Sequence, residues 1–358
     1  MIVAGAGMAG LVAAARLREL GCEVELHEKG ERVGGSMLLS SCVVWRHADW
    51  DGFRSECPGG DERLQRLVWD RLDDAIEWLI ARGAPVVWDE TGNPRTRGKR
   101  FEPHGLVRAL GGERAVVGST PPVTGKRPVI LCTGGFAASG KLVARYVAPA
   151  APLRLRGNPW STGDGLEHAV ARGAALTNGL DEFYGRNMPD TAWGEGELVS
   201  ASQLYGRFAR IFDRDGVEFF DAADVSWSET NVVQATARRP GAIAYYVLDE
   251  EAMRQCVRDS TVAEMVDAAP VEARVPLDEL PFAPPGSVAA VRVVASITHT
   301  IGGLVVDDRA RVLRADRTPI DGLWAAGVDA GGVATGGYAS GLAQALVQGL
   351  AAAEDAAS

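Results

Sequence analysis

Two glycine-rich segments, one near each end of the chain, constrain what this sequence can fold into more than any other feature. The first, residues 1–10, reads Met-Ile-Val-Ala-Gly-Ala-Gly-Met-Ala-Gly, which sets Gly5, Gly7 and Gly10 in a G-x-G-x-x-G spacing. The second runs through Gly322, Gly327, Gly331 and Gly332 to Gly336, Gly337 and Gly341. A lone G-x-G-x-x-G is a weak signal, so its surroundings decide. Residues 1–4 form the short apolar run of a buried parallel strand. Residues 9–20 favour a helix, and Gly21 supplies its stop. Gly5 then permits the tight turn, Gly7 lets the backbone approach a pyrophosphate, and Gly10 lets helix and strand pack closely. The backbone of Gly5, Ala6, Gly7, Met8, Ala9 and Gly10 is expected to cradle the diphosphate against the helix dipole. Residues 22–27 alternate as a second strand that ends at Glu28, placed to accept hydrogen bonds from an adenosine ribose. A glycine-rich turn that binds nothing is the competing reading. The agreement of strand, helix and carboxylate argues against it.

The chain has 358 residues, of which 46% are hydrophobic, enough for a sizeable core and for two domains. Its net charge of −10 argues against nucleic acid or an anionic membrane surface as the main partner. Cys22, Cys42, Cys57, Cys132 and Cys256 are scattered and form no C-x-x-C. Only His27, His47, His104, His168 and His299 are available to join them, which disfavours a disulfide framework or a zinc site. No apolar stretch reaches membrane-spanning length free of charge and glycine. The N-terminus lacks the basic leader of a secretion signal, so the expected location is cytoplasmic.

Residues 61–82 carry apolar side chains at helical spacing and end at Gly83, with Trp69 and Trp78 expected in the core. Residues 128–132 repeat the buried-strand pattern and lead into Thr133-Gly134-Gly135-Phe136, and Gly163-Asp164-Gly165 opens a helix that runs to Arg172. Residues 177–290 change character. They hold more aromatics, short alternating runs such as 243–248, and turns at Asp215-Gly216 and Pro240-Gly241. Pro281, Pro284, Pro285 and Gly286 mark a return linker, and residues 340–353 a closing helix. The expected fold class is α/β. It combines a Rossmann-like domain, a parallel sheet flanked by helices, built from residues 1–176 and 291–358, with an inserted α+β capping domain over 177–290.

Taken in order, the motifs resemble the flavoprotein family of fumarate reductase, succinate dehydrogenase and 3-ketosteroid dehydrogenases. The resemblance rests on the opening glycines, Glu28-Lys29, Gly34-Gly35-Ser36, Leu131-Cys-Thr-Gly-Gly-Phe136, Thr162-Gly-Asp-Gly165, Thr298-His-Thr-Ile-Gly-Gly-Leu304 and Leu323-Trp-Ala-Ala-Gly327. It spans nearly the whole chain and implies FAD as cofactor. It further implies that Gly34, Gly35 and Ser36 contact the diphosphate and ribityl region, that Thr133, Gly134, Gly135 and Asp164 line the adenosine side, and that Gly327 and Asp329 lie near the ribityl chain. Ser340 and Leu342 begin the closing helix, whose N–H groups would face the flavin N1/O2 edge and favour charge developing there. The family's covalent attachment uses a histidine shortly after the Gly-Gly stretch. Met37-Leu-Leu-Ser-Ser offers none, so non-covalent FAD is expected. No second complete G-x-G-x-x-G appears to serve a pyridine nucleotide.

Members of that family oxidise or reduce a carbon–carbon bond beside a carbonyl or carboxylate, and the protein supplies position and charge. The resemblance makes His299, which precedes the Thr-Ile-Gly-Gly turn, a candidate for binding the substrate's activating group. Tyr338 stands where dicarboxylate reductases carry an arginine, and a tyrosine there resembles the ketosteroid dehydrogenases, in which a phenol polarises a ketone. Tyr184-Gly-Arg186 and Tyr205-Gly-Arg207 repeat one another and put two phenols and two guanidiniums in the expected cap, as base or clamp. Surface arginines and core tyrosines are the bland readings of those four. Residues 226–230, where the resemblance places a cap arginine as proton donor, contain none. A small ketone-bearing substrate is therefore expected, handled by hydride transfer with an electron partner that the motifs do not specify. A fumarate-type carboxylate reductase is the first alternative. A degenerate, non-catalytic flavoprotein is the second, because residues 111–128 are short where relatives cover the adenine.

Overall fold

The computed structural model describes residues 1–121, 127–257 and 259–358, so part of the short stretch at 111–128 lies outside the described residues. The chain forms two compact units. The first comprises 1–142, 158–182 and 299–358, the second 143–157 and 183–298. Both boundaries read from the sequence, at 176/177 and 290/291, lie a few residues before these. Residues 143–157, which that reading grouped with the first domain, pack with the second unit.

The first unit is built on a six-stranded sheet. Its centre is the wholly buried strand Ile2–Ala4, parallel to Glu25–Glu28 in the register Val3↔Leu26 and to Val129–Leu131 in the register Val3↔Ile130. Pro319–Ala325 extends it in parallel beyond Val129–Leu131, and Arg311–Leu313 closes that edge antiparallel. Val116–Val117 forms the other edge, with Glu28 opposite Val117. Apolar runs without alternation occupy the middle because parallel strands are covered on both faces. The opening helix, Met8–Glu19, is alanine-rich and nearly all buried. The closing helix, Gly341–Ala356, approaches it so closely that a Cβ at Gly349 would stand 2.8 Å from the Ala9 carbonyl oxygen. A separate three-stranded antiparallel sheet joins Val43–His47, Thr96–Phe101 and Val86–Trp88.

The helix Glu62–Ala81 is capped by Asp61, whose carboxylate accepts the Arg63 N–H. Its buried stripe is Leu64, Val68, Leu72, Ala75, Ile76 and Leu79. Trp69 and Trp78 flank that stripe and are half-buried, which corrects their assignment to the core. The Arg46 guanidinium lies 4.5 Å from the Trp69 ring centre, and Trp78 Nε1 donates to Glu19 at 3.0 Å. An indole with a polar N–H is held where one side stays accessible to charge.

The second unit is organised by the fourteen-residue strand Ser287–Thr300. It pairs antiparallel with Ile243–Asp249, which pairs with Arg210–Phe212 and through it with Glu218–Phe220. Arg154–Leu155 adds a short parallel partner, and Phe183–Pro189 also pairs with the long strand. These pairings explain why 143–157 and 291–298 belong to this unit. Tyr205, Ile211, Val232, Tyr246, Val291 and Val293 form its core. Among the described residues, no helix is long and apolar enough to cross a membrane.

The opening turn depends on missing side chains. Gly5 has φ +100°, and a Cβ there would overlap the Cys132 carbonyl, while one at Gly10 would overlap the carbonyl of Gly5. Gly10→Ala is expected to cost at least about 2 kcal/mol, because backbone meets backbone and no side chain can yield. Chemical denaturation of wild type and variant checks this, and an unchanged midpoint would refute the packing argument.

Candidate functional site

The opening helix begins at a bare end. Gly7 is its N-cap without a side-chain hydrogen bond, no acid occupies the first turn, and a Cβ on Gly7 would meet nothing closer than Gly35 Cα at 4.0 Å. Its N–H groups therefore face open space lined by glycine, the arrangement an anion needs. Gly34 N–H donates to the Ala6 carbonyl at 2.8 Å, and φ values of +108° and +51° at Gly34 and Gly35 turn that loop and Ser36 beside the helix end. Glu28 is buried, and its two oxygens accept the N–H groups of Ala6 at 2.9 Å and Gly30 at 2.8 Å. Lone pairs remain on both oxygens for further donors. Lys29 Nζ reaches Thr162 Oγ1 at 2.5 Å and Asp164 Oδ2 at 2.8 Å.

Asp329 is directed inward. Its buried carboxylate accepts the N–H and hydroxyl of Thr133 and the N–H of Gly135, the last at 3.0 Å. Burial holds its pKa above the usual carboxylate range, and those three donors work against the shift. Asp329, Thr133 and Gly135 thus form a buckle between two strand-end turns, with Gly134 at φ +87° between them. Gly327 N–H donates to Gln348 Oε1 at 3.1 Å, which ties the second turn to the closing helix.

Ser340 caps the closing helix, its hydroxyl accepting the Ala343 N–H at 3.2 Å, and Leu342 lies in the first turn. His299 stands beside that helix start, where a Cβ on Gly341 would be 3.3 Å from its Nε2. Its Nδ1 lies 3.1 Å from the Thr300 carbonyl, a partner that assigns the hydrogen to Nδ1 and basicity to Nε2. Burial pulls its pKa below the ordinary histidine value, so the ring is neutral near pH 7. A cavity opens here, lined by His299, Thr300, Val328, Ala339, Gly341 and Gln344 among others. Thr300 Oγ1 is buried without a hydrogen-bond partner. An uncapped helix end over glycines and a buried carboxylate at the second strand's end fit the diphosphate and ribose of FAD.

Tyr338 is half-buried, its ring tilted against Trp45 with 5.3 Å between centroids. Its carbonyl lies 3.1 Å from Nε2 of buried His47, which stacks on Phe53 at 4.9 Å. The preceding loop is anchored by hydrogen bonds from Asp61 N–H to the Gly332 carbonyl, Gly59 N–H to the Thr335 carbonyl, and Gly336 N–H to Glu182 Oε2. Trp45, His47, Glu182 and Thr300 were given no site role by the sequence reading. Trp45 and His47 alternate on one strand, but nothing local joins them to a residue almost three hundred positions away.

In the second unit the two Tyr-Gly-Arg stretches converge on residues 227–229. Arg186, 8% exposed, donates to the Ser228 carbonyl, and its guanidinium lies 4.9 Å from the Tyr184 ring centre. Exposed Arg207 donates to the Trp227 carbonyl at 3.2 Å, and Gly206 N–H donates to Glu229 Oε1 at 3.1 Å. Tyr205 is corrected from candidate base to core residue. It is fully buried, donates to Gln203 Oε1 at 2.6 Å, and burial drives its phenol pKa upward. Glu229 is a further residue to which the sequence reading gave no role. It is 4% exposed, sits at φ +55° as the N-cap of Thr230–Ala237, and has its pKa raised to about 7. Burial is the main cause, opposed by Arg186, Arg207 and the Gly206 N–H. Among the described residues there is no cluster suited to a metal ion.

The family model described as FAD binding domain matches residues 118–342, and that of an NAD(P)-binding Rossmann-like domain matches 3–43. A probable fumarate reductase, Ifc3, of Shewanella frigidimarina (strain NCIMB 400) is 22% identical over 424 residues, covering 93% of this chain and 70% of the relative. Two solved structures share the fold. A 3-ketosteroid delta1-dehydrogenase from Sterolibacterium denitrificans has a TM-score of 0.74 at 16% identity, over 99% of this chain and 98% of its own. The open conformation of a flavocytochrome c3 fumarate reductase has a TM-score of 0.71 at 20% identity, over 99% of this chain and 77% of its own.

The state of Glu229 is measurable through stability. Its folded pKa of about 7 exceeds the ordinary 4.5, so its stabilising contribution is complete below pH 4.5 and is lost as pH rises through 7. Glu229→Gln, which keeps the neutral shape, is expected to gain on wild type by up to about 3 kcal/mol across that window. Denaturation of both proteins at pH 4.5 and 8 checks it, and a constant difference would show that the folded pKa of Glu229 is not raised.

Proposed function

The chain belongs to the FAD binding domain family, and from that premise we propose that it is an FAD-dependent oxidoreductase acting on a carbon–carbon bond beside a carbonyl. FAD, held non-covalently, supplies two-electron hydride chemistry when bound. The residues proposed to hold it are Gly5 to Gly10, Glu28 with Lys29, Gly34 to Ser36, Gly134, and the backbone of Ser340 to Leu342. Asp329, Thr133, Gly135, Gly327 and Asp164 shape the turns from which these project.

The observation that carries the proposal is the neutral imidazole of His299 beside the start of the closing helix, with Tyr338 in the loop that leads directly into that helix. Tyr338 is proposed to donate a hydrogen bond to the substrate's carbonyl oxygen, drawing charge onto it. His299, with its hydrogen turned to the Thr300 carbonyl, offers Nε2 as an acceptor and therefore holds a proton or a hydroxyl of the substrate. His47 and Trp45 orient the Tyr338 loop. In the second unit, Glu229 is proposed as a proton-holding group, its pKa raised by burial to about 7 against the opposing charges of Arg186 and Arg207.

A ketone-bearing substrate is preferred over a dicarboxylate because Arg186 and Arg207 already hold backbone carbonyls at 227 and 228. The fumarate reductases among the relatives favour the second reading, a carboxylate reductase in which these arginines would turn to substrate.

Acid precipitation of purified protein is expected to leave a yellow supernatant, and flavin retained in the pellet would refute non-covalent attachment. Oxidised or dithionite-reduced flavin is expected to change colour with cyclic saturated ketones or enones respectively, while reoxidation by fumarate alone would favour the carboxylate reading. Tyr338→Phe should slow the ketone reaction by about 10²–10³-fold with flavin content unchanged. An unaltered rate would remove Tyr338 from the chemistry.

A further inference from the structure

The end of the second strand carries more than a ribose carboxylate. Trp160 lies with its indole over Gly30, two residues beyond Glu28, so close that a Cβ on Gly30 would overlap ring atoms Cδ2 and Cε3. Only glycine admits the ring there. The Arg32 guanidinium is 5.8 Å from the centre of the same indole. The loop bearing Trp160 is well tied. Its N–H donates to Asn158 Oδ1 at 3.2 Å, and its carbonyl accepts the Thr162 N–H at 3.0 Å. Lys29 bonds to Thr162 and Asp164, and so fastens the loop to the residue that follows Glu28.

The edge strand Val116–Val117 runs alongside. Gly118 N–H donates to the Gly30 carbonyl at 2.9 Å and Ser119 N–H to the Glu28 carbonyl at 2.8 Å. Val116 and Val117 are nevertheless 53% and 46% exposed. The half-buried indole thus lies over Gly30, exposed Val117 pairs with Glu28, and exposed Val116 pairs with His27 just before it. Apolar surface left open next to a buried carboxylate and a glycine-lined helix end suits a flat heteroaromatic base attached to a sugar and a diphosphate.

We propose that Trp160 is the aromatic platform for the adenine base of the cofactor, with Gly30 present to seat the ring. This rests on the FAD reading and specifies it. Base–aromatic contacts are sensitive to truncation and tolerant of ring exchange. It also answers the short stretch at 111–128, since cover for the base then comes from the 158–164 loop.

The test uses the full chain stripped of flavin, titrated with FAD, ADP and FMN by calorimetry, for wild type, Trp160→Ala and Trp160→Phe. FMN lacks the adenosine and reports on the rest of the site. Trp160→Ala is expected to weaken FAD and ADP roughly tenfold to hundredfold and leave FMN unchanged, with Trp160→Phe recovering most of the loss. FAD affinity that is unchanged or tighter in Trp160→Ala, in a protein whose wild type binds FAD, overturns the proposal alone. An equal loss for FMN also overturns it, since the effect is then not on the base. A wild type that binds neither FAD nor ADP overturns this proposal together with the cofactor reading.

Discussion

The contact of two backbones at the opening turn underlies the rest of the first unit. Gly5 lies against the Cys132 carbonyl and Gly10 against the carbonyl of Gly5, with no room for a side chain at either. That approach places the first strand beside Val129–Leu131 and starts the opening helix directly at the sheet. The helix end then has an N-cap, Gly7, with no side chain to compete for its N–H groups, and no acid in its first turn. Alanine and glycine continue the theme where the closing helix meets the opening one at Gly349. Small residues here are structural requirements of close packing, and an anion-binding helix end follows from them.

Two buried carboxylates show opposite treatments of the same problem. Burial raises the pKa of both Asp329 and Glu229. Asp329 is given three donors from Thr133 and Gly135 and acts as a buckle between turns. Glu229 has one backbone donor and two guanidiniums committed to neighbouring carbonyls, so its proton is held loosely enough to move near neutrality. Its left-handed backbone conformation adds strain of order 1–3 kcal/mol, which the surrounding packing must sustain. Strain and a shifted pKa in one residue are the combination expected where a fold serves chemistry as well as stability.

The Tyr338 loop illustrates how a segment is held without regular structure. Its carbonyl is met by His47, its ring by Trp45, and the residues before it by Gly59, Asp61 and Glu182. These supports come from segments far apart in the chain, which gives the loop a defined shape although its own sequence is mostly glycine and alanine.

Local patterns were sufficient for the βαβ unit, the strand Val129–Leu131, the helices opening at Asp164 and Gly341, and the strand Ile243–Asp249. Each is a short stretch whose period, cap or glycine has a direct geometric meaning. The family resemblance and its FAD were legible for the same reason, since glycine turns contact a diphosphate through backbone. The second unit's limits were not, because they follow from which strand Ser287–Thr300 pairs with along its length. Nor could the sequence tell that Tyr205 is core and Arg186 buried, that Asp329 turns inward, or that Glu229 sits between the repeated Tyr-Gly-Arg stretches. A side chain's direction, burial and pKa depend on neighbours supplied by distant segments, so the sequence determined the backbone motifs and only the tertiary structure decided what each ionisable group does.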